Sequence, residues 1–399
     1  MPIDPIAVPE RSHSMRTVTF FQPQRLVFGC GCLAQCVAYL NEVVRGHLRI
    51  LTSPPLIPTA SRIQAELTRS GISVSVDADV PSEPTIADFE TATARAKEAG
   101  ATCILGLGGG SVLDIAKLVA AFVEGDQRIE ETFGIGLLQD RACHLVCMPT
   151  TSGTGSEVSP NAILLDEAAK LKRAVISPHL VPDAVFVDPE LTLTVPAAVT
   201  AATGLDALAH CIEAYTNKFA HPLVDVYALE GIALCGRFLL RAVQSPADLE
   251  AREGMSLASL YGGLCLGPVN TAAGHAIAYP LGSEYHIAHG VSVALVQPHV
   301  FRFNAEASPD RHAAVARALG EKGEADDLAA AHAGAAAIAR LTADCSIDSH
   351  LGNYGVTADR IPALAASAMT VQRLLQNNPR PVAEADCIQI YKACFGPNR

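Results

Sequence analysis

The sequence predicts an α/β N-terminal domain built on a Rossmann-like parallel sheet, followed by an all-α C-terminal domain. Three observations carry this. Up to about residue 195, short β-rich runs alternate with helical patterns, as a parallel sheet covered by helices requires. A glycine cluster, Gly108-Gly109-Gly110, stands where one such run gives way to a helix. From about Pro196 onward the strand patterns vanish, and apolar residues recur at spacings of three and four. The expected division is a flexible leader over 1–16, with Met15 as an alternative start, an α/β domain over 17–195 and a helical domain over 196–399.

The elements follow in chain order. Residues 48–52 (LRILT) form a compact apolar strand, 60–70 have helical spacing, and 72–76 alternate like a strand. Residues 84–99 read as a charged amphipathic helix with Pro84 near its start. The run 102–107 (TCILGL) is continuously apolar, as a strand buried on both faces should be. Residues 111–123 are helical, and 144–148 and 184–187 are further buried strands. In the second half, 207–215, 224–243, 252–264, 312–319 and 361–375 carry helical periodicity. No repeat or low-complexity linker separates the halves, so they should pack tightly with a cleft between them.

Composition excludes several roles. With 29 Lys+Arg against 41 Asp+Glu the formal charge is −12, the wrong sign for a nucleic-acid-binding surface. Asp114 and Lys117 interrupt the most apolar stretch, 102–123, which excludes a membrane span there. The 12 cysteines are dilute over 399 residues and several sit in apolar runs. They read as free buried thiols of a cytoplasmic protein rather than a disulfide framework. Cys30, Cys32 and Cys36 cluster, but a structural zinc site needs a second ligand pair that is not nearby.

The glycine turn carries chemistry. Gly108, Gly109, Gly110 and Ser111 follow a strand and open a helix. Glycines let the backbone approach a ligand, and a helix N-terminus offers free N–H groups and partial positive charge, so the turn suits a pyrophosphate. Asp114, in the first part of the helix, suits a capping-type role. After the next strand comes Pro149-Thr150-Thr151-Ser152-Gly153-Thr154-Gly155-Ser156-Glu157, with five hydroxyl residues and two glycines. Such a loop at the C-terminal end of a parallel strand points to polar ligand contacts; the plainer alternative is a helix cap at Thr154 or Ser156.

Asp206 and His210 are four apart, hence on one helix face, in an otherwise apolar segment. A buried carboxylate and imidazole need a partner, and a cation supplies one. With His275 and His289 they make an Asp/His₃ set that suits Fe²⁺, Zn²⁺ or another first-row divalent ion.

Together these motifs resemble the iron-containing (group III) alcohol dehydrogenase family. The resemblance also rests on Phe21 to Gly31, Val185-Phe-Val-Asp188-Pro189-Glu-Leu191, Glu213-Ala-Tyr215, His275-Ala-Ile-Ala-Tyr279-Pro280-Leu-Gly282 and Asn378-Pro379-Arg380. It implies a dehydroquinate synthase-like architecture in which a dinucleotide-binding domain precedes a helical metal domain. It implies metal ligands at Asp206, His210, His275 and His289, cofactor phosphates at Gly108, Gly109, Gly110 and Ser111, and Thr150, Thr151 and Thr154 near the cofactor. The implied activity is hydride transfer between NAD or NADP and a small alcohol or aldehyde, in a homodimer or larger homo-oligomer.

Two departures from the family pattern matter. Tyr279 stands where many members carry a second histidine thought to help in proton transfer, so Tyr279 or His286 becomes the expected relay. Ser53 ends the first strand where the family usually has Asp. Its neutrality removes repulsion of a 2′-phosphate, so NADP should be accepted alongside NAD. Rival readings are an oxo-acid reductase of the maleylacetate reductase type, whose members usually have Asn at the position of Asp206, and a lyase of the dehydroquinate synthase type.

Overall fold

The computed structural model describes residues 16–169, 171–323 and 326–396. Residues 1–15 of the expected leader lie outside them. Its last residue, Arg16, donates to the carbonyls of Phe219 and Pro268.

Among the described residues, nine strands occupy the first half: β1 (Arg25–Phe28), β2 (His47–Leu51), β3 (Ser73–Asp77), β4 (Ala101–Gly108), β5 (Gly134–Ile135), β6 (His144–Pro149), β7 (Asn161–Asp166), β8 (Leu171–Ile176) and β9 (Ala184–Val187). Six of them form one sheet in the order β1-β9-β6-β4-β2-β3, parallel throughout. Helices α1 (Leu33–Val43), α2 (Ile57–Arg69), α3 (Ile86–Glu98) and α4 (Gly110–Phe122) connect these strands. Thr85 and Asp88 cap α3 reciprocally.

The order places a switch point between β2 and β4. From β2 the chain moves outward to β3, then returns to β4 on the other side of β2. Ligands of open α/β sheets bind where the carboxyl ends of strands diverge in this way. Here those ends are Thr52-Ser53 and Gly108-Gly109. The buried Thr52 hydroxyl donates to the Leu107 carbonyl at 2.7 Å and ties the two ends together.

A second sheet, β5-β8-β7, has β7 and β8 antiparallel and was not apparent in the sequence. Along β8 exposed and half-buried residues alternate until Val175, so its apolar signal is weak. Ala162, Leu164 and Val175 anchor the sheet in the apolar cluster shared with α4, and polar contacts add to this. The fully buried Lys117 ammonium donates to the Asn161 carbonyl (2.7 Å) and to Ser156 Oγ (2.9 Å). Asp114 accepts from the Ile163 N–H at 3.0 Å and from the Ser156 hydroxyl. Asp114 therefore does not cap α4, whose N-cap is Gly109. It joins α4 to the polar loop and to β7. No helix follows that loop, so Thr154 and Ser156 are not helix caps either.

The second half is helical: α5 (Ala197–Tyr215), α6 (Pro222–Gln244), α7 (Leu249–Leu266), α8 (Ala273–Tyr285), α9 (His289–Asn304), α10 (Pro309–Ala318), α11 (Asp327–Asp344), α12 (Ile361–Met369), α13 (Gln372–Leu375) and α14 (Glu384–Ala393). The single helix expected over 361–375 is two, because the backbone leaves helical geometry at Val371 (ψ 48°); Thr370 and Val371 are β-branched and poor helix formers. No described helix is long and apolar enough to cross a membrane.

Gly155 brings the halves together. It has φ +59°, and a Cβ there would lie 2.3 Å from Gly263 Cα on α7. Only a residue without a side chain satisfies both the dihedral and the approach. Gly155→Ala should cost roughly 2–4 kcal/mol of unfolding free energy. Gly71→Ala, at φ +88° with open space around it, should cost only about 1 kcal/mol. Urea titration of both variants checks this; equal losses would show that the approach to Gly263 does not matter.

Candidate active site

Helix α5 presents Asp206, His210 and Glu213, spaced four and three apart, on one buried face. Helix α8 contributes His275 and, one turn on, Tyr279; α9 begins at His289. The three imidazoles converge on one carboxylate oxygen. Asp206 Oδ1 lies 3.4 Å from His275 Nε2, 3.5 Å from His289 Nε2 and 3.9 Å from His210 Nε2.

The two shorter separations are long for hydrogen bonds and suit a shared ion, and ligand atoms of Asp206, His210 and His275 all lie within 4.8 Å of one another. Two ligand atoms each ~2.1 Å from a cation sit ~3.4 Å apart at a tetrahedral angle and ~3.0 Å apart at a right angle. Asp206 Oδ1 and His275 Nε2 are both buried without a hydrogen-bond partner. A buried orphaned carboxylate oxygen is costly, and a divalent cation bound to it would remove the cost. The residues therefore fit a metal ion.

The surroundings keep imidazole lone pairs available. Burial pushes His210 below its ordinary pKa and His289 down to about 3, so both are neutral. Burial opposes ionisation of Asp206, but the facing imidazoles prevail and hold it below the usual carboxylate range. At His275 burial favours the neutral ring, while Glu213 and Asp206 outweigh it and raise the pKa.

Glu213 had no role assigned from sequence. Its Oε1 lies 2.7 Å from His275 Nδ1, and its Oε2 accepts from the Ala272 N–H. An ionised carboxylate only accepts, so Nδ1 carries the hydrogen and Nε2 faces Asp206. The signal was present as the position one turn beyond His210 on the same face. Likewise His210 Nδ1 lies 3.3 Å from the Gly153 carbonyl of the polar loop, which aims its Nε2 at Asp206.

The same cleft reaches the glycine turn. Gly110, Ser111, Asp114 and Thr154 line it together with Asp206, His210, His275, Tyr279 and His289. A Cβ on Gly110 would lie 2.6 Å from the Thr154 methyl, and one on Gly109 3.1 Å from Thr151 Oγ1. The turn is thus pressed against the polar loop. Gly108 and Thr150 stand deeper, joined by the Thr150 N–H to Gly108 carbonyl bond. The Ser111 hydroxyl donates to the Ser82 carbonyl.

Three expectations are placed differently from one another. Tyr279 lies in the cleft with its ring 6.0 Å from that of His289. His286 is exposed in the left-handed cap of α8 (φ 55°) and does not line the cleft. Ser53 is half-buried at the end of β2, at the switch point and outside the wall that holds the histidines. Of the Cys30, Cys32 and Cys36 group, the last two are buried, and Cys30 donates to Glu253. Burial pushes the Cys32 thiol up to about 12, so it offers no thiolate for a metal.

The chain is similar to known proteins over most of its length. Residues 23–189 match the iron-containing alcohol dehydrogenase family model, and residues 200–395 match that of the C-terminal part of the Fe-containing alcohol dehydrogenase family. Long-chain-alcohol dehydrogenase 1 of Geobacillus thermodenitrificans (strain NG80-2) is 36% identical over 373 residues, covering 92% of this chain and 94% of its own. Sulfoacetaldehyde reductase of Bilophila wadsworthia (strain 3_1_6) is 32% identical over 377 residues, covering 93% and 97%. The crystal structure of a 1,3-propanediol oxidoreductase superposes with a TM-score of 0.91 at 31% identity, over 95% of this chain and all of that one.

Glu213 gives the site a direct test. Glu213→Gln keeps an acceptor for His275 but removes its charge, and should weaken divalent-metal binding about 10- to 100-fold with the fold retained. Metal titration monitored by competition with a chromogenic chelator, alongside circular dichroism, reads both; unchanged affinity would remove Glu213 from the site.

Proposed function

The chain belongs to the iron-containing alcohol dehydrogenase family, and from that premise we propose that it is a metal-dependent, NAD(P)-linked alcohol dehydrogenase or aldehyde reductase. One observation carries the reading: three histidine nitrogens face one orphaned carboxylate oxygen, in a cleft that also contains the glycine turn. Asp206, His210, His275 and His289 would hold Fe²⁺, with Zn²⁺ or another divalent ion as substitute. The domain division at 195/196 accompanies this reading, supported by the change from strands to helices between Val187 and Ala197.

A bound divalent ion supplies Lewis acidity to the substrate oxygen, and the nicotinamide carries the hydride. The residues do the rest. Gly108, Gly109, Gly110 and Ser111 offer backbone N–H groups at the start of α4, which favour a pyrophosphate. Thr151 and Thr154 close over that turn, and Thr150 fixes the end of β6 beside it. Asp114 acts at one remove, by holding the polar loop and β7 in place. Tyr279 is placed to donate a hydrogen bond or pass a proton within the cleft, and its position favours it over the exposed His286. The twelve free cysteines accord with a reducing cytoplasm, and a homodimer or larger homo-oligomer is the proposed assembly.

The orphaned Asp206 oxygen favours this reading over the maleylacetate reductase type. Removal of divalent metal should reduce aldehyde reduction at least 100-fold, and Fe²⁺ or Zn²⁺ should restore it. The test is chelation, desalting and reconstitution across a panel of small aldehydes, diols and oxo acids. Full activity after verified metal removal, on oxo acids alone, would overturn the reading in favour of its rival.

Ser53 sets cofactor choice. With no carboxylate at that position, NADPH and NADH should both support turnover. Ser53→Asp should lower kcat/KM for NADPH about tenfold or more relative to NADH by charge repulsion. Wild-type protein active with NADH and inert with NADPH would sink this assignment.

A further inference from the structure

The charged side chains that line the cleft are Glu83, Asp114, Lys172, Asp206 and Arg373, alongside the imidazoles of His210, His275 and His289. Nearly all of these charges are accounted for. Lys172 Nζ pairs with Glu83 Oε1 at 3.2 Å. Asp114 is engaged by Ser156 and Ile163 and stands 3.9 Å from Lys117. Asp206 faces the histidines. Arg373 differs: among the described residues its guanidinium has no ion pair, hydrogen bond or aromatic ring beneath it, although it is half-buried.

Its position is imposed by the fold. Helix α13 is four residues long and packs against α8, the helix that carries His275 and Tyr279. Leu374 and Leu375 are buried in the same apolar cluster as Ala276 and Ile277. This anchors α13 and leaves Arg373, the residue before them, to line the cleft. The arginine thus enters the cleft wall from the helical half, on α13, whereas the glycine turn belongs to the start of α4 in the other half.

An unpaired guanidinium in a partly dehydrated wall is a site awaiting an anion: it is always charged and presents a planar fork of donors matched to carboxylate, sulfonate or phosphate. We propose that Arg373 binds the anionic tail of the substrate, so that the preferred substrates are aldehydes or alcohols bearing a carboxylate or similar anionic group at the far end from the reacting carbon. This rests on the dehydrogenase reading above and narrows its substrate class. The reacting end would be directed toward Asp206 and the histidines, and the charged end held by α13.

The test compares succinic semialdehyde with butanal, a neutral aldehyde of the same chain length, using the metal-loaded enzyme and NADH. Wild-type protein should prefer the charged aldehyde in kcat/KM. Arg373→Gln should lower that preference roughly 10- to 100-fold, the effect of losing a charge-assisted hydrogen bond, and should act through KM more than kcat. Arg373→Lys should restore part of it. The KM for NADH should stay within about twofold, because the anion is not the cofactor's.

Absence of preference in the wild type, or equal losses for both aldehydes in Arg373→Gln, would overturn the proposal. A loss confined to the KM for NADH would assign the arginine to a cofactor phosphate and overturn it equally. Calorimetry of γ-hydroxybutyrate and butanol binding to the metal-loaded protein with NADH keeps the two readings separate. If no aldehyde is turned over, the dehydrogenase reading fails, and tighter binding of the carboxylate that is lost in Arg373→Gln still decides for Arg373.

Discussion

The structure around the cleft is organised by one costly group, the Asp206 carboxylate inside an apolar helix. A buried ionised carboxylate demands compensation, and nothing on α5 itself supplies enough of it. The response comes from three helices. His210 lies one turn along α5, His275 comes from α8 and His289 opens α9. Burial keeps two of these rings neutral, so they offer lone pairs rather than positive charge. A second carboxylate, Glu213, takes the far nitrogen of His275 and turns its near nitrogen toward Asp206. Asp206 Oδ1 and His275 Nε2 still lack a hydrogen-bond partner, an opening that the proposed cation would fill, and this would tie the packing of three helices to a chemical requirement.

That requirement propagates into the backbone. Gly274 precedes His275, and a Cβ there would lie 2.4 Å from Glu213 Oε1 and 2.2 Å from Gln297 Oε1. The Glu213–His275 contact therefore needs α8 to come closer than a side chain would allow. On the other side of the cleft, the glycine turn and the polar loop are pressed together in the same way, Gly110 against Thr154. The polar loop also accepts from His210 through the Gly153 carbonyl. One loop thus touches both the glycine turn and the candidate ion site. This is a direct physical reason for the two halves to be held in a fixed relation.

A second buried charge, Lys117, supports the same loop from beneath. Its ammonium is fully enclosed, and burial lowers its pKa. It donates to Ser156, Ser159 and Asn161, with Asp114 close by. These contacts help to fix the small β5-β8-β7 sheet where it lies: polar atoms add to an apolar anchor, in which Ala162, Leu164 and Val175 share a core cluster with Leu113 and Leu118 of α4. Lys172 and its partner Glu83 follow from that placement, since β8 packs against α8.

Much of this was legible in the chain. Alternating apolar runs and helical spacings located five of the six strands of the parallel sheet, and helices such as α4, α6 and α7, within a few residues, because burial on both faces of a parallel strand leaves a strong local pattern; β1, α8, α9 and α11 were not singled out, and α5 was read ten residues short. Asp206 and His210 announced themselves by a local spacing in an apolar context. What the sequence could not determine was convergence. His275 and His289 lie more than sixty residues beyond His210, and only helix packing brings their nitrogens to one oxygen. The small sheet escaped notice because β5 has two residues and β8 is mostly exposed or half-buried, which leaves a weak local pattern. Asp114 looked like a cap because its neighbours in sequence are a helix start, whereas its partners in space are Ser156 and Ile163. His286 and Tyr279 looked equivalent as relays until a left-handed helix end turned one outward and a helix face turned the other inward. Arg373 was one charge among many until α13, anchored by Leu374 and Leu375, set it in the cleft wall. The sequence alone determined most strands of the parallel sheet, the change from strands to helices and which residues are chemically capable; the tertiary structure decided which of them meet, because proximity across the fold is set by packing, which no local pattern records.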